Sequence, residues 1–338
     1  MNQPSNPLPI DALRAAFGDA LQVNAPMAAH TTARVGGPAD ALIEANSAAG
    51  LEQIAGRLWE MDIPFYVIGY GSNVLVSDEG LHGVVIINRA RAIQIQSGGE
   101  IPFVQAESGA LIGTIARQAA LHGLSGFEWA ATVPGTLGGA VYGNAGAYGG
   151  DMSASLLLAE ILHPHGKELW SVERMQYSYR SSLLKRSRLP AVILTAQIKL
   201  QRGEPGAIQA RMEEFSAHRR RTQPPGASLG SMFKNPPGDF AGRLIEAAGL
   251  KGARVGQAEI SPIHANFFVN LGGASAADIG RLIRLARDTV ADRFGVLLEL
   301  EVELLGDWSA VLGGAQPDAD QQPGQNNMQK ENQTKDER

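Results

Sequence analysis

Apolar positions along the chain recur in two periods. Spacings of three and four residues over 51–59 and 111–121 predict helices, the second ending at Gly123. Elsewhere the apolar runs are short. Residues 63–68, 74–76 and 84–87 read as buried strands, 93–96 alternates, and 103–106, 155–163 and 191–200 are further strand candidates. Strands dominate this region, which favours an α+β sheet layer over alternating βαβ units. A helix is predicted over 205–221, where a domain boundary is placed, and another over 239–248, closed by Gly249. Ser275 and Asp278 form a capping-box start, after which Ile279, Leu282, Ile283, Ala286, Val290 and Phe294 keep one helical face apolar up to Gly295. Residues 296–304 then switch to period two, with Leu298, Leu300, Val302 and Leu304 on one face and Glu299, Glu301 and Glu303 on the other. From Gln316 onward almost nothing can be buried, and disorder is expected.

Two glycine-rich stretches interrupt this pattern. Gly69-Tyr70-Gly71-Ser72-Asn73 follows a predicted strand, and its Gly-x-Gly invites a dinucleotide-fold reading. That fingerprint needs a third glycine and a helix next, whereas another strand follows. The longer stretch, 123–150, is expected to form neither helix nor long strand. Its amides suit a loop converging on phosphate or carbonyl oxygens. The plain alternative is a flexible linker. Trp129, Val133, Leu137, Val141 and Tyr142 argue against it, because linkers carry no large apolar side chains that need burial. A packed cofactor cradle is the better reading.

Composition narrows the classes. A chain of 338 residues has room for two or three domains. Glycine, at 40 residues, exceeds the average of about 7%. A net charge of −5 gives no global footprint for nucleic acid. The absence of cysteine excludes disulfides, thiolate metal sites and a cysteine nucleophile, and fits a reducing cytoplasm. The first ten residues lack a signal-peptide pattern, and no apolar run approaches the roughly 20 residues that span a bilayer, so no membrane insertion is expected.

Other segments carry candidate chemistry. Residues 228–236 present Ser231, Lys234 and Asn235 on a turn, although an ordinary Ser/Gly/Asn/Pro turn has the same composition. Arg180 sits among aromatics and hydroxyls, where a guanidinium can clamp a carboxylate or enolate. The alternating glutamates line a wet sheet face or send one member into a cleft. His218-Arg219-Arg220-Arg221 suits the end of a helix dipole; the alternative is a contact to a substrate diphosphate. His163 to Gly166 reads as a turn between strands, and no metal site is expected.

Taken in order, the runs TTARVGGPAD (31–40), GYGSN (69–73), VPGTLGGA (133–140), NAGAYG (144–149), Tyr179-Arg180, GSMFKNP (230–236), AGLKG (248–252), HANF (264–267) and Glu301-Val302 resemble the UDP-N-acetylenolpyruvoylglucosamine reductase family across roughly residues 20–305. The resemblance implies a vanillyl-alcohol-oxidase-type FAD fold. It divides the chain into an N-terminal extension (1–19), two α+β FAD-binding subdomains (20–88 and 89–204), a substrate domain (205–305) and a disordered tail (306–338). It further implies a cytoplasmic, monomeric oxidoreductase in which NADPH reduces non-covalent FAD, and FAD reduces UDP-N-acetylglucosamine enolpyruvate. Ser231 would be the proton donor, with Arg180 and Glu301 stabilising the enol intermediate. Gly69, Tyr70, Gly71, Ser72, Asn73, Gly135, Thr136, Gly138, Gly139, Asn144, Ala145 and Gly146 would hold FAD, and Tyr179, Lys234 and Asn235 would meet the UDP-sugar. Only 186–189 separate Lys185 from Pro190, which resembles the short-loop class, and Ala227 stands where the family often has proline. An oxygen-using flavin oxidase of the same fold and a non-catalytic nucleotide-sugar-binding protein are the alternatives. Glu301 is expected to have a raised pKa.

Overall fold

The computed structural model describes residues 8–313. Its first sheet runs Gln22–Pro26, Pro38–Ala45, Leu81–Asn88, Phe65–Ile68 in space, antiparallel at the first contact and parallel at the other two. Nearly every position of Leu81–Asn88 is buried, because Val84 and Ile86 face one apolar cluster while Val85 and Ile87 face another. That explains why its sequence is continuously apolar rather than alternating. The helix Ala48–Glu60, capped by the Ser47 hydroxyl, lays Leu51, Ala55 and Leu58 on the first of those faces. The helix Ile10–Phe17 inserts Leu13 into the same cluster, so half of the expected N-terminal extension belongs to this core.

The second sheet is antiparallel throughout, in the order Gly166–Ser171, Leu156–His163, Val192–Lys199, Phe103–Glu107, Ile93–Gln96. His163 pairs with Gly166, leaving Pro164 and His165 as the expected turn. Part of the glycine-rich stretch departs from expectation: Leu137–Gly143 is a helix. Glycine in a helix costs about 1 kcal/mol relative to alanine, but Leu137, Ala140 and Val141 are buried against the second sheet, and that packing prevails. The helix Pro205–Thr222 also departs from expectation. Its Ile208 and Met212 join Phe127 and Ala130 in the core of the second subdomain, so the boundary lies near residue 222 rather than 205.

The C-terminal unit is an antiparallel sheet, ordered Ala227–Ser231, Phe267–Asn270, Ala258–Ile260, Arg254–Val255, covered by the helices Ala241–Ala247 and Ala276–Phe294. Both hydrogen bonds of the Ser275/Asp278 capping box are present. The first subdomain adds to this cap, since the Asp78 carboxylate accepts from the N–H groups of Ala276 and Ala277, each at 2.8 Å. Phe294, predicted on the buried face, is exposed at the last turn.

Residues 296–304 keep their two faces but not one continuous strand. Leu300 bridges Phe233, and Glu303–Leu305 then pairs in parallel with Val74–Val76 of the first subdomain. The expected disordered tail starts too early at 306. Trp308 is 1% exposed in the C-terminal core, its Nε1–H donates to the Leu305 carbonyl, and Ser309–Leu312 packs on the long helix. The rest of that tail, 314–338, lies outside the described residues. Among the described residues no helix is long and apolar enough to cross a membrane.

Trp308→Ala should cost about 3–5 kcal/mol of unfolding free energy, read from chemical denaturation of the full-length chain. A loss below about 1 kcal/mol would mean that residues 306–313 are dispensable to the core.

Candidate active site

Three backbone segments meet at the first glycine turn. The Thr32 N–H donates to the Gly71 carbonyl at 3.0 Å, the Thr32 hydroxyl to the Ser228 carbonyl at 2.6 Å, and the Ser72 hydroxyl to the Pro134 carbonyl at 3.0 Å. The approach is too close for side chains. A Cβ on Gly71, which sits at φ +67°, would lie 1.9 Å from the His30 carbonyl oxygen, and one on Gly69 would lie 2.2 Å from the hydroxyl of buried Thr136. Gly69, Tyr70 and Ser72 line a cleft of about 960 Å³, shared with His30, Arg34, Pro134, Arg219 and Phe267 among others. Gly135 is half-buried beside Ser72. Gly138 packs inward, donating its N–H to the Ser108 carbonyl at 2.7 Å, while Gly139 is exposed.

Arg180 is positioned by a tight hairpin. Ser178 and Ser181 exchange both backbone hydrogen bonds, leaving Tyr179 and Arg180 at the tip. Arg180 sits at φ +54°, a left-handed conformation that costs a non-glycine residue about 1–2 kcal/mol and often marks function. Asn144 holds this hairpin: its amide nitrogen donates to the Ser178 carbonyl and its oxygen accepts from the Ser153 N–H, both at 3.0 Å. The carbonyl of Ala145 accepts from Met152, and that of Gly146 from the Arg180 Nη2 at 2.9 Å. The side chain of Asn144 and the carbonyl of Gly146, residues expected at the cofactor, thus brace Arg180 and its hairpin, while the Ala145 carbonyl holds Met152. Tyr179 is exposed, its ring 5.1 Å from the Arg180 guanidinium carbon.

Glu301 reaches Arg180 from the other end of the chain. The Arg180 Nε–H donates to the Glu301 Oε1 at 2.7 Å, and both side chains are largely shielded from solvent. Ser231 belongs to the same local pairing, because the Glu301 N–H donates to the carbonyl of Met232, its neighbour, at 2.9 Å. Asn73 ties the first glycine turn to this strand. Its side-chain amide donates to the Glu301 carbonyl at 3.1 Å, and its own carbonyl accepts from Glu303 at 2.9 Å. Each alternating glutamate meets a different cation: Glu299 pairs with Lys234 at 3.3 Å, Glu301 with Arg180, and Glu303 with Lys185. Burial raises the Glu301 pKa above the ordinary glutamate value, against the opposing pull of Arg180 and, further off, Lys185 and Lys234.

Ser231 and Asn235 line a second cleft of about 400 Å³ with Phe240, Arg243 and His264. Asn235 also caps the helix Ala241–Ala247, accepting from the Ala241 N–H at 3.1 Å. Asn266 escaped the reading of individual residues. Its buried amide accepts from the Phe233 N–H and donates to the Phe233 carbonyl at 2.9 and 2.8 Å, which fixes the Ser231 turn. Only its place in HANF signalled it.

Gly71→Ala should disrupt the junction of the glycine turn with residues 30–32, lowering stability by several kcal/mol through overpacking and a strained φ. Gly139→Ala, whose Cβ would meet nothing closer than 3.6 Å, should be tolerated. Denaturation midpoints of the two variants decide; similar values would contradict the closure described.

Residues 39–171 match the FAD binding domain family, and residues 222–305 match the C-terminal domain of UDP-N-acetylenolpyruvoylglucosamine reductase. The chain is 47% identical over 290 residues to the UDP-N-acetylenolpyruvoylglucosamine reductase of Chloroflexus aggregans, covering 84% of this chain and 97% of that one. It is 42% identical to that of Bacillus subtilis over 84% of this chain and 93% of the relative. The crystal structure of the Thermus caldophilus enzyme superposes with a TM-score of 0.72 at 35% identity, over 85% of this chain and 98% of that one. The expected α+β FAD-binding fold with an added C-terminal domain is therefore the fold observed. The chain belongs to the UDP-N-acetylenolpyruvoylglucosamine reductase family.

Proposed function

We propose that this chain reduces the enolpyruvyl ether of UDP-N-acetylenolpyruvoylglucosamine to UDP-N-acetylmuramate, a step of peptidoglycan precursor synthesis, with NADPH as reductant and non-covalent FAD as carrier. The observation that carries this reading is the shielded Arg180–Glu301 pair, set on the strand pairing that holds Ser231 and anchored to the glycine turn through Asn73. The large cleft fits FAD: its wall joins main chain that no Cβ could replace with four arginines, and the buried His30 Nδ1 and Gln223 Oε1 on it lack partners within the protein. Residues of the two glycine turns would hold the dinucleotide. Bound there, FAD supplies a hydride taken from NADPH to the terminal alkene carbon of the substrate.

Negative charge then develops toward the substrate carboxylate, and the side chains have to meet it. Arg180 is already fixed by the Gly146 carbonyl and Glu301, so its guanidinium needs no reorganisation when charge appears. Glu301, biased toward its neutral form by burial, can donate a hydrogen bond to that charge, whereas its ionised form would oppose it. Ser231 delivers the proton to the adjacent carbon, completing addition of one hydride and one proton across the double bond. A serine hydroxyl is a very weak acid, so it serves only toward a strongly basic carbon and only when held in line; the Asn266 lock on the neighbouring residues supplies that constraint. Tyr179, Lys234 and Asn235 would contact the UDP-sugar. That Arg180, Glu301 and the Ser231 turn all come from one chain supports a monomer, and use of NADPH supports a cytoplasmic location.

Ser231→Ala should leave reduction of the flavin by NADPH nearly intact and slow its re-oxidation by the enolpyruvyl sugar by about 10²–10³ or more, measured by stopped-flow absorbance; equal loss in both half-reactions would assign the serine a structural role. The re-oxidation rate should also fall with rising pH as Glu301 ionises, from a pKa above that of an ordinary glutamate. Glu301→Gln should remove that limb, and a profile left unchanged by the substitution would count against this role.

A further inference from the structure

Three glutamates on one face create a pairing problem. Arg180 must meet Glu301, yet Glu299 and Glu303 offer the same carboxyl two residues away on either side. Same-face residues of an extended segment lie roughly 6–7 Å apart, a distance that an arginine side chain can cover by changing rotamer. Burial also biases Glu301 toward its neutral form, so a charged neighbour would accept hydrogen bonds from Arg180 more strongly than Glu301 does. The competing carboxylates therefore need partners of their own.

The fold treats the two competitors differently. Glu299 pairs with Lys234 at the surface, its side chain 76% exposed, where water screens any pull on Arg180. Glu303 has no such screening. Its side chain is 21% exposed and that of its partner Lys185 is 18% exposed, so this pair is as shielded as Arg180 and Glu301. Lys185 comes from the same segment as Arg180. The fully buried Ser182 donates its hydroxyl to the Tyr142 carbonyl at 2.6 Å and accepts from the Lys185 N–H at 3.2 Å, starting the helix Leu183–Ser187 directly after the Arg180 hairpin. Glu303 is fixed from the opposite side, by its N–H bond to the Asn73 carbonyl and by its pairing with Val74. Two anchored elements thus aim Lys185 at Glu303, and its charge is met there rather than offered to a substrate phosphate.

We infer that Lys185 is a positioning residue: by holding Glu303 it leaves the Arg180 guanidinium to Glu301 and to the reacting substrate. The inference rests on the reading that Arg180 stabilises charge in the reducing step. Desolvation offsets most of the attraction in a shielded pair, so stability alone gives little reason for Lys185 and Glu303 to be there. Removing Lys185 alone would leave a shielded carboxylate whose charge is met by drawing Arg180 off Glu301. Removing both residues takes away the competitor together with its partner.

The test uses the full-length protein with FAD bound, reduced by NADPH, and follows re-oxidation by the enolpyruvyl UDP-sugar in stopped-flow absorbance. Lys185→Met should slow re-oxidation about 10²-fold, the scale of losing one preorganised donor, while the NADPH half-reaction changes little. Lys185→Arg should keep the rate. Glu303→Gln, which removes the competitor, should cost far less than Lys185→Met. The double variant Lys185→Met/Glu303→Gln should return to within about threefold of wild type, as expected when a shielded pair is replaced by neutral groups. A mere structural brace would respond alike to the loss of either partner. Equal losses in the two single variants, a double variant as slow as Lys185→Met, or an unchanged rate in Lys185→Met overturns the inference. If Lys185→Met does not fold, Glu303→Gln and the double variant decide, and a large loss in either contradicts it. A wild-type protein whose reduced flavin the sugar does not re-oxidise would overturn the underlying reading along with the inference, whereas failure confined to the variants would leave that reading standing.

Discussion

The hydrogen bond from Arg180 to Glu301 joins positions 121 residues apart, and its neighbours on both sides are arranged to hold it. Each partner is fixed from behind. Arg180 sits on a two-residue hairpin tip braced by Asn144 and Gly146, and Glu301 on a strand bonded to Met232 and Asn73. A shielded pair of this kind gains little stability in itself, because the desolvation of both groups offsets their attraction. Its value lies in geometry. A cation in a strained left-handed conformation and a carboxyl with a raised pKa are arrangements that folding alone would not favour, and they occur together here.

The glycine segments make that arrangement possible. They let stretches of backbone close to distances that no side chain tolerates, at Gly69 and Gly71 beside the large cleft and at Gly146, whose carbonyl holds Arg180. Asn73 illustrates the coupling: it belongs to the first glycine turn, yet both its amide and its carbonyl bond the strand of Glu301. The parallel pairing of Glu303–Leu305 with Val74–Val76 extends the same junction, and Asp78 caps the long C-terminal helix from the first subdomain. The C-terminal unit is therefore fastened directly to the first subdomain, next to the strand that carries Glu301.

Much of this was legible in the sequence where the signal is local. The capping box at Ser275, the turn at 164–165 and six strands of the two FAD-binding sheets follow from short-range periodicity and turn chemistry, whereas Gln22–Pro26, Pro38–Ala45 and Gly166–Ser171, with weaker apolar patterns, were not predicted. Signals that depend on long-range packing were not. The period-two pattern at 296–304 placed three glutamates on one face but could not name Lys234, Arg180 and Lys185 as their partners, since those contacts cross the whole chain. Periodicity likewise predicted a helix at 205–221 without showing that Ile208 and Met212 face the second subdomain's core. Three glycines hid the helix Leu137–Gly143, whose stability comes from buried Leu137 and Val141. Trp308, with Val311 and Leu312 packed on the same cluster, extends the C-terminal core into the expected tail. The roles proposed for Ser231, Arg180 and Glu301 come from the family resemblance, and no single motif would have suggested them.

The account stands on Arg180 and Glu301 acting as a unit on the reducing step. A double-mutant cycle with Arg180→Gln and Glu301→Gln, read as the rate at which the enolpyruvyl UDP-sugar re-oxidises the reduced flavin, tests this most directly. Groups in one network should couple by about 0.5–3 kcal/mol, so the double variant should lose clearly less activity than the two single losses combined. Losses that simply add would contradict the claim that the pair is the functional centre of this fold.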